Sequence, residues 1–159
     1  MIVSVTQTEG LKLEATTNRG VKFEIDKEII SPQEYFTIGA IACSATDIIL
    51  LPEKQGKSVK NLSVSGDFER AKTAPFRFIA VHIIYSFDSD GSDLEASRWV
   101  LSSIESYCTT LNTLRGVAKI YYSITHNGKS IADRNSVVSG ETSALGSEAE
   151  NLSIDACPN

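Results

Sequence analysis

Cys43, Cys108 and Cys157 have the greatest reach for chemistry in this 159-residue sequence. The thiolate, not the thiol, is the nucleophile, so each cysteine is judged by what could ionise it. The number is odd and no two lie close together, which excludes a disulfide scaffold and a cysteine-rich zinc module. What remains for each is an inert place in the core or work as a thiol. Cys43 falls inside Gly39-Ala40-Ile41-Ala42-Cys43-Ser44-Ala45, about three turns into an expected helix and beyond the short reach of the helix dipole. Asp47 stands four residues on, on the same helical face, where an unpaired carboxylate would favour the neutral thiol. A reactive Cys43 therefore needs a cation from elsewhere in the fold or from a second subunit. Cys108 is expected on the inner stripe of a later helix, and Cys157, near the C-terminus, is read as incidental.

Other chemistries find less support. His82 on a central strand reads as a packing residue, and His126 beside Asn127-Gly128 as a solvent-facing one. No spacing favours a Cys43–His82 nucleophilic pair. A metal would need Cys43, Asp47 and two further ligands, so no metal or cofactor is expected. No Gly-rich phosphate loop and no nucleophile-elbow motif is present. The net charge of −5 and the scattered Lys and Arg argue against nucleic acid. No charged n-region followed by an apolar run opens the chain. The uncharged part of the apolar stretch from Tyr35 to Leu51, interrupted by Asp47, falls short of the ~20 residues of a membrane span. A cytoplasmic protein without membrane contact is expected.

The elements that must hold the cysteines can be read from patterning. Alternating segments at Ile2–Thr6, Leu11–Thr16 and Val21–Asp26 predict three strands, at least the last two joined as a hairpin. Ser31-Pro32-Gln33-Glu34 is a capping-box start for a helix that is apolar nearly all round, ended by Pro52 and Gly56. A strand carrying Leu62, Val64 and Phe68 follows. The next, Phe76–Phe87, is apolar on both faces and predicted to be central. Ser92-Asp93-Leu94-Glu95 opens a second helix whose stripe runs Val100, Ile104, Tyr107, Cys108, Leu111. A further turn from Thr109 to Arg115, capped by Gly116, leads to a strand at Val117–Thr125. The order βββ-α-ββ-α(α)-β predicts an α+β fold over residues 1–126, with helices against a largely antiparallel sheet. Residues 127–159, rich in Ser, Gly and acidic groups, read as a C-terminal tail, flexible or packed on the domain or on a partner.

Three stretches together resemble the OsmC/Ohr-like family. They are Ser31-Pro32-Gln33-Glu34 leading into Gly39-Ala40-Ile41-Ala42-Cys43-Ser44-Ala45-Thr46-Asp47-Ile48-Ile49, then Phe68-Glu69-Arg70 with Ala74-Pro75-Phe76 and the strand through His82 and Tyr85, and finally Glu105-Ser106-Tyr107-Cys108 with Leu111 and Leu114. The resemblance implies an intertwined homodimer with the central helices buried together and a cysteine site at each subunit interface. It also implies that Cys43 is peroxidatic and Cys108 resolving. The first is oxidised by an organic hydroperoxide to a sulfenic acid, the second closes a disulfide, and an external dithiol reduces it. Peroxidatic members place a Glu ten residues before the first cysteine, where this chain has Gln33. Its acid is Glu34, as in an OsmC-like subgroup, and Glu34, Gln33 and Asp47 are the supporting residues expected. The family's activating Arg has Lys12 in the nearest matching stretch, with Arg19 in a turn. A non-catalytic dimer that binds a small hydrophobic ligand, or a redox sensor or sulfur carrier using Cys43, is the competing expectation.

Overall fold

A computed structural model describes residues 1–137. The chain divides into two compact units, residues 1–38 and the part from residue 39 onward. In the first unit, β1 (Ser4–Glu9), β2 (Lys12–Thr16) and β3 (Lys22–Asp26) form an antiparallel meander in that order. Gly10 and Gly20 take positive φ at its two turns, a conformation that costs glycine little. Tyr35 stacks obliquely on Phe23 and donates its hydroxyl to the Glu24 carbonyl at 3.3 Å.

Helix α1 (Pro32–Lys54) begins as the capping box predicts. Glu34 Oε2 accepts from the Ser31 N–H at 2.8 Å and from its hydroxyl at 2.7 Å, while Ser31 Oγ accepts from the Glu34 N–H at 3.3 Å. The helix ends between Pro52 and Gly56, the latter at positive φ. It carries Pro52 in its last turn and runs on to Lys54. At 23 residues it has the length and apolar composition of a membrane span, with Asp47 interrupting its uncharged run. Within the second unit it nonetheless buries polar groups, Ser44 and Asp47, beside Ala40, Ile48 and Leu51.

The second unit adds a four-stranded sheet ordered β4 (Val59–Arg70), β5 (Phe78–Ser89), β6 (Lys119–His126), β7 (Lys129–Ser136). Val81, Ile83, Tyr85 and Phe87 of β5 and Ile120, Tyr122 and Ile124 of β6 turn one face into the core, under α2 (Asp93–Ser102). The opposite face of β5 is more open, with Ile84 41% exposed. α2 starts on the predicted capping box, Ser92 to Glu95. The fold is mixed α+β, as expected, with four departures from the sequence reading.

The sheet is not antiparallel throughout, since β5 and β6 run parallel, Tyr85 opposite Ile124. Parallel neighbours need a long crossover, and residues 90–118 supply it. The second helix is not continuous. α2 gives way to one π-helical turn (Ser103–Tyr107), then extended Cys108, then α3 (Thr109–Arg115). The expected tail begins with β7, joined to β6 through Asn127 and Gly128, both at positive φ. His126, expected to face solvent, is 1% exposed. Residues 138–159, with Cys157, lie outside the described part.

Candidate functional site

The break at Cys108 is what aims its sulfur. The π turn shifts the register by one residue, and the Cys108 amide donates to the Ser103 carbonyl at 2.9 Å. Cys108 then takes φ −72, ψ 100 and caps α3, fully buried. Its Sγ lies 3.1 Å from Thr110 Oγ1 and 3.9 Å from the Ala40 carbonyl on α1. One turn of α1 beyond Ala40 is Cys43, half-buried, and the two cysteine side chains are hydrogen-bonded to each other. The structure thus brings Cys43 and Cys108 together.

Burial pushes the Cys108 thiol up to about 12. Hydrogen bonds to Thr110 and to the Leu111 N–H pull it down, and the Cys43 sulfur raises it again. Cys108 is therefore a protonated thiol at neutral pH. Cys43 is the more accessible of the two.

Beside the cysteines runs a buried polar chain that the sequence did not reveal. Tyr85 OH is 2.6 Å from Ser44 Oγ, Ser44 Oγ is 2.8 Å from Ser103 Oγ, and Ser103 Oγ donates to Asp47 Oδ2 at 2.8 Å. Each hydroxyl has one proton, so with Ser103 donating to the carboxylate, Ser44 donates to Ser103 and Tyr85 to Ser44. Asp47 is 1% exposed. Its burial raises its pKa to about 6 against the opposing pull of Ser103. Burial also raises the pKa of Tyr85, and charge on Cys108 or Asp47 would raise it further, which sets this chain within electrostatic range of the thiols. Asp47 Oδ1 and Tyr107 OH are buried without a hydrogen-bond partner among the described residues. Tyr107 has a raised pKa, from burial first and from Asp47 second.

The other expected site residues are placed elsewhere. Glu34 is engaged with Ser31 at the start of α1, and those bonds hold its carboxyl below the usual range. Gln33 is exposed on the first turn. Lys12 lies 3.5 Å from Asp26 and 3.9 Å from Glu24 on the neighbouring strand. Among the described residues no cation contributes to the Asp47 shift, and no cluster of three or more His, Cys, Asp or Glu could hold a metal.

The family described as OsmC-like protein matches residues 25–123, well over half of the chain. The chain belongs to the OsmC-like family. Solved OsmC-like structures share its fold. The OsmC-like protein of Mycoplasma pneumoniae aligns at TM-score 0.68 and 17% identity, over 79% of this chain and 95% of its own. An organic hydroperoxide resistance protein OsmC from Legionella pneumophila aligns at TM-score 0.56 and 20% identity, over 78% and 95%. The organic hydroperoxide resistance protein OhrB of Bacillus subtilis aligns at TM-score 0.54 and 18% identity, over 79% and 98%. No curated protein matches the sequence. The family match ends at residue 123, before β7.

Proposed function

We propose that this OsmC-like protein reduces organic hydroperoxides with Cys43 as the peroxidatic and Cys108 as the resolving cysteine. The observation that carries the reading is the hydrogen bond between the two thiols, one half-buried and one fully buried. A hydroperoxide meets the more open Cys43 first. The Cys43 sulfur attacks the O–O bond, leaving an alcohol and a sulfenic acid. Cys108, held against it with its proton, condenses to a disulfide and releases water. An external dithiol then returns both thiols.

The buried Asp47 Oδ1 has no hydrogen-bond partner among the described residues. A basic side chain from a second copy of the chain would supply one and would favour the Cys43 thiolate as well, in keeping with the intertwined dimer the family resemblance implies. α1 supports that assembly, since Phe36, Ile38 and Ile49 are 44%, 55% and 51% exposed on it. A reducing cytoplasm would keep the pair as thiols between turnovers.

The test is direct. Reduced protein is treated with equimolar cumene hydroperoxide, and its thiols are mapped by mass spectrometry. A Cys43–Cys108 disulfide is the expected product, and thiols left intact under excess peroxide would overturn the reading. In that case the alternative is a ligand-binding dimer on the same architecture.

A further inference from the structure

Away from the cysteines, three elements converge on a second group of reactive side chains. Ser89 is the last residue of β5, Asp93 the first of α2 and His126 the last of β6. The His126 ring is 1% exposed and packs on Phe87 with centroids 5.4 Å apart. Its Nδ1 lies 2.8 Å from Asp93 Oδ1, and its Nε2 lies 2.8 Å from Ser89 Oγ. An ionised carboxylate only accepts, so Nδ1 of the neutral ring carries the proton and Nε2 is left to accept from the Ser89 hydroxyl. Asp93 is kept ionised by hydrogen bonds from Lys129, 2.8 Å from Oδ2, and from His126.

The surroundings fix the serine as well as the histidine. The Gly91 N–H donates to Ser89 Oγ at 3.1 Å. Asn127 clamps the Ser89 backbone, accepting from its N–H at 3.0 Å and donating to its carbonyl at 3.1 Å. Ser89 is half-buried and lines a cleft of about 260 Å³ together with Ser58, Lys60, Asp88 and Asp90. The fold contains a second serine–histidine contact, and it is set the other way. His82 Nε2 lies 2.9 Å from Ser123 Oγ, but Arg134 Nη1 is 3.1 Å from His82 Nδ1. A guanidinium only donates, so His82 Nδ1 accepts, Nε2 bears the proton, and Ser123 is not activated.

From this geometry we infer that Ser89, His126 and Asp93 form a serine nucleophile site that transfers the acyl group of a small ester to water. Ser89 Oγ adds to the ester carbonyl while its proton passes to His126 Nε2. Collapse of the tetrahedral adduct expels the alcohol, which leaves with that proton. Water then attacks the acyl-Ser89 with the same base, the carboxylic acid departs, and the hydroxyl is restored. Asp93 is a positioning residue that holds the imidazole and its tautomer. The cleft's two carboxylates, Asp88 and Asp90, are balanced by the ammonium groups of Lys60 and of Lys57, which lies 3.3 Å from the Asp90 carbonyl, so a small neutral ester is the class of substrate. This activity is independent of the thiols.

The experiment uses the full chain with its thiols blocked by iodoacetamide. A short neutral fluorophosphonate is added, the labelled peptide is identified by mass spectrometry, and turnover of p-nitrophenyl acetate is followed in parallel. The label is expected on Ser89, to be absent in Ser89→Ala, and to form at least about a hundredfold more slowly in His126→Gln. Because His126 is buried and its variant can fail to fold, the half-exposed Asp93 supplies a second arm. Asp93→Asn keeps a hydrogen-bonding side chain but reverses the tautomer. It should label at least about tenfold more slowly at an unchanged melting temperature, with rate recovered in Asp93→Glu. Folded protein that takes no label at Ser89, or an Asp93→Asn variant that labels at the wild-type rate, overturns the inference.

Discussion

Ser103 Oγ donates to Asp47 Oδ2 at 2.8 Å, and through that bond the first residue of the π turn is tied to the middle of α1. The bond is the last link of a hydroxyl chain that starts at Tyr85, so it joins β5, α1 and the crossover in one buried polar line.

Asp47 gives the first prediction. Its pKa in the folded chain, about 6, is raised above the ordinary 3.8. A group raised in this way adds its full stability below the unfolded value and loses it as pH rises through the folded one. Wild type should therefore lose stability relative to Asp47→Asn between about pH 4 and pH 6, by up to about 3 kcal/mol, and the difference should be flat above that window. Paired urea titrations from pH 4 to pH 7 measure it. A pH-independent difference would show that the carboxyl is not desolvated.

The thiol pair gives the second. Cys108→Ser should consume one equivalent of cumene hydroperoxide and stop at a Cys43 sulfenic acid that dimedone traps. Cys43→Ser should leave the peroxide untouched. Equal consumption by both variants would remove the division of roles drawn from burial.

Gly91 gives the third. A Cβ at this position would run into the Trp99 indole, which is 2% exposed and donates its N–H to Gln55 at 2.9 Å. Gly91→Ala should cost about 1–3 kcal/mol as the indole is displaced. Guanidinium unfolding followed by Trp99 fluorescence reads both the loss and the altered native signal.

The sequence made some of this legible and hid the rest for physical reasons. Ser31 with Glu34 and Ser92 with Glu95 are reciprocal caps written in four residues each, and both helices start where those residues put them. Alternation found the strands but not their direction, because Ile120, Tyr122 and Ile124 alternate identically beside a parallel or an antiparallel neighbour. The stripe Val100, Ile104, Cys108, Leu111 keeps helical spacing across the π turn, so periodicity concealed the break that directs the Cys108 sulfur. Lys129–Ser136 has too few apolar residues to read as a strand, although Asn127-Gly128 was a hairpin signal of the ordinary kind. Residue type alone makes Asp47 a nearby charge and His126 a surface group. Only the partners Ser103, Ser89 and Asp93, remote in sequence, account for their burial.

The crossover that parallel pairing demands gives the cysteine pair a mechanical side. Between Cys43 and Cys108 the chain passes through the end of α1, β4, β5 and α2. Joining the two sulfurs would tie that whole stretch into a closed ring and rob the unfolded chain of freedom worth about 4 kcal/mol. Oxidised protein should accordingly melt higher than reduced protein, and whatever thiol regenerates it must work against that gain. A reductant would thus be selecting the looser of two forms of one scaffold.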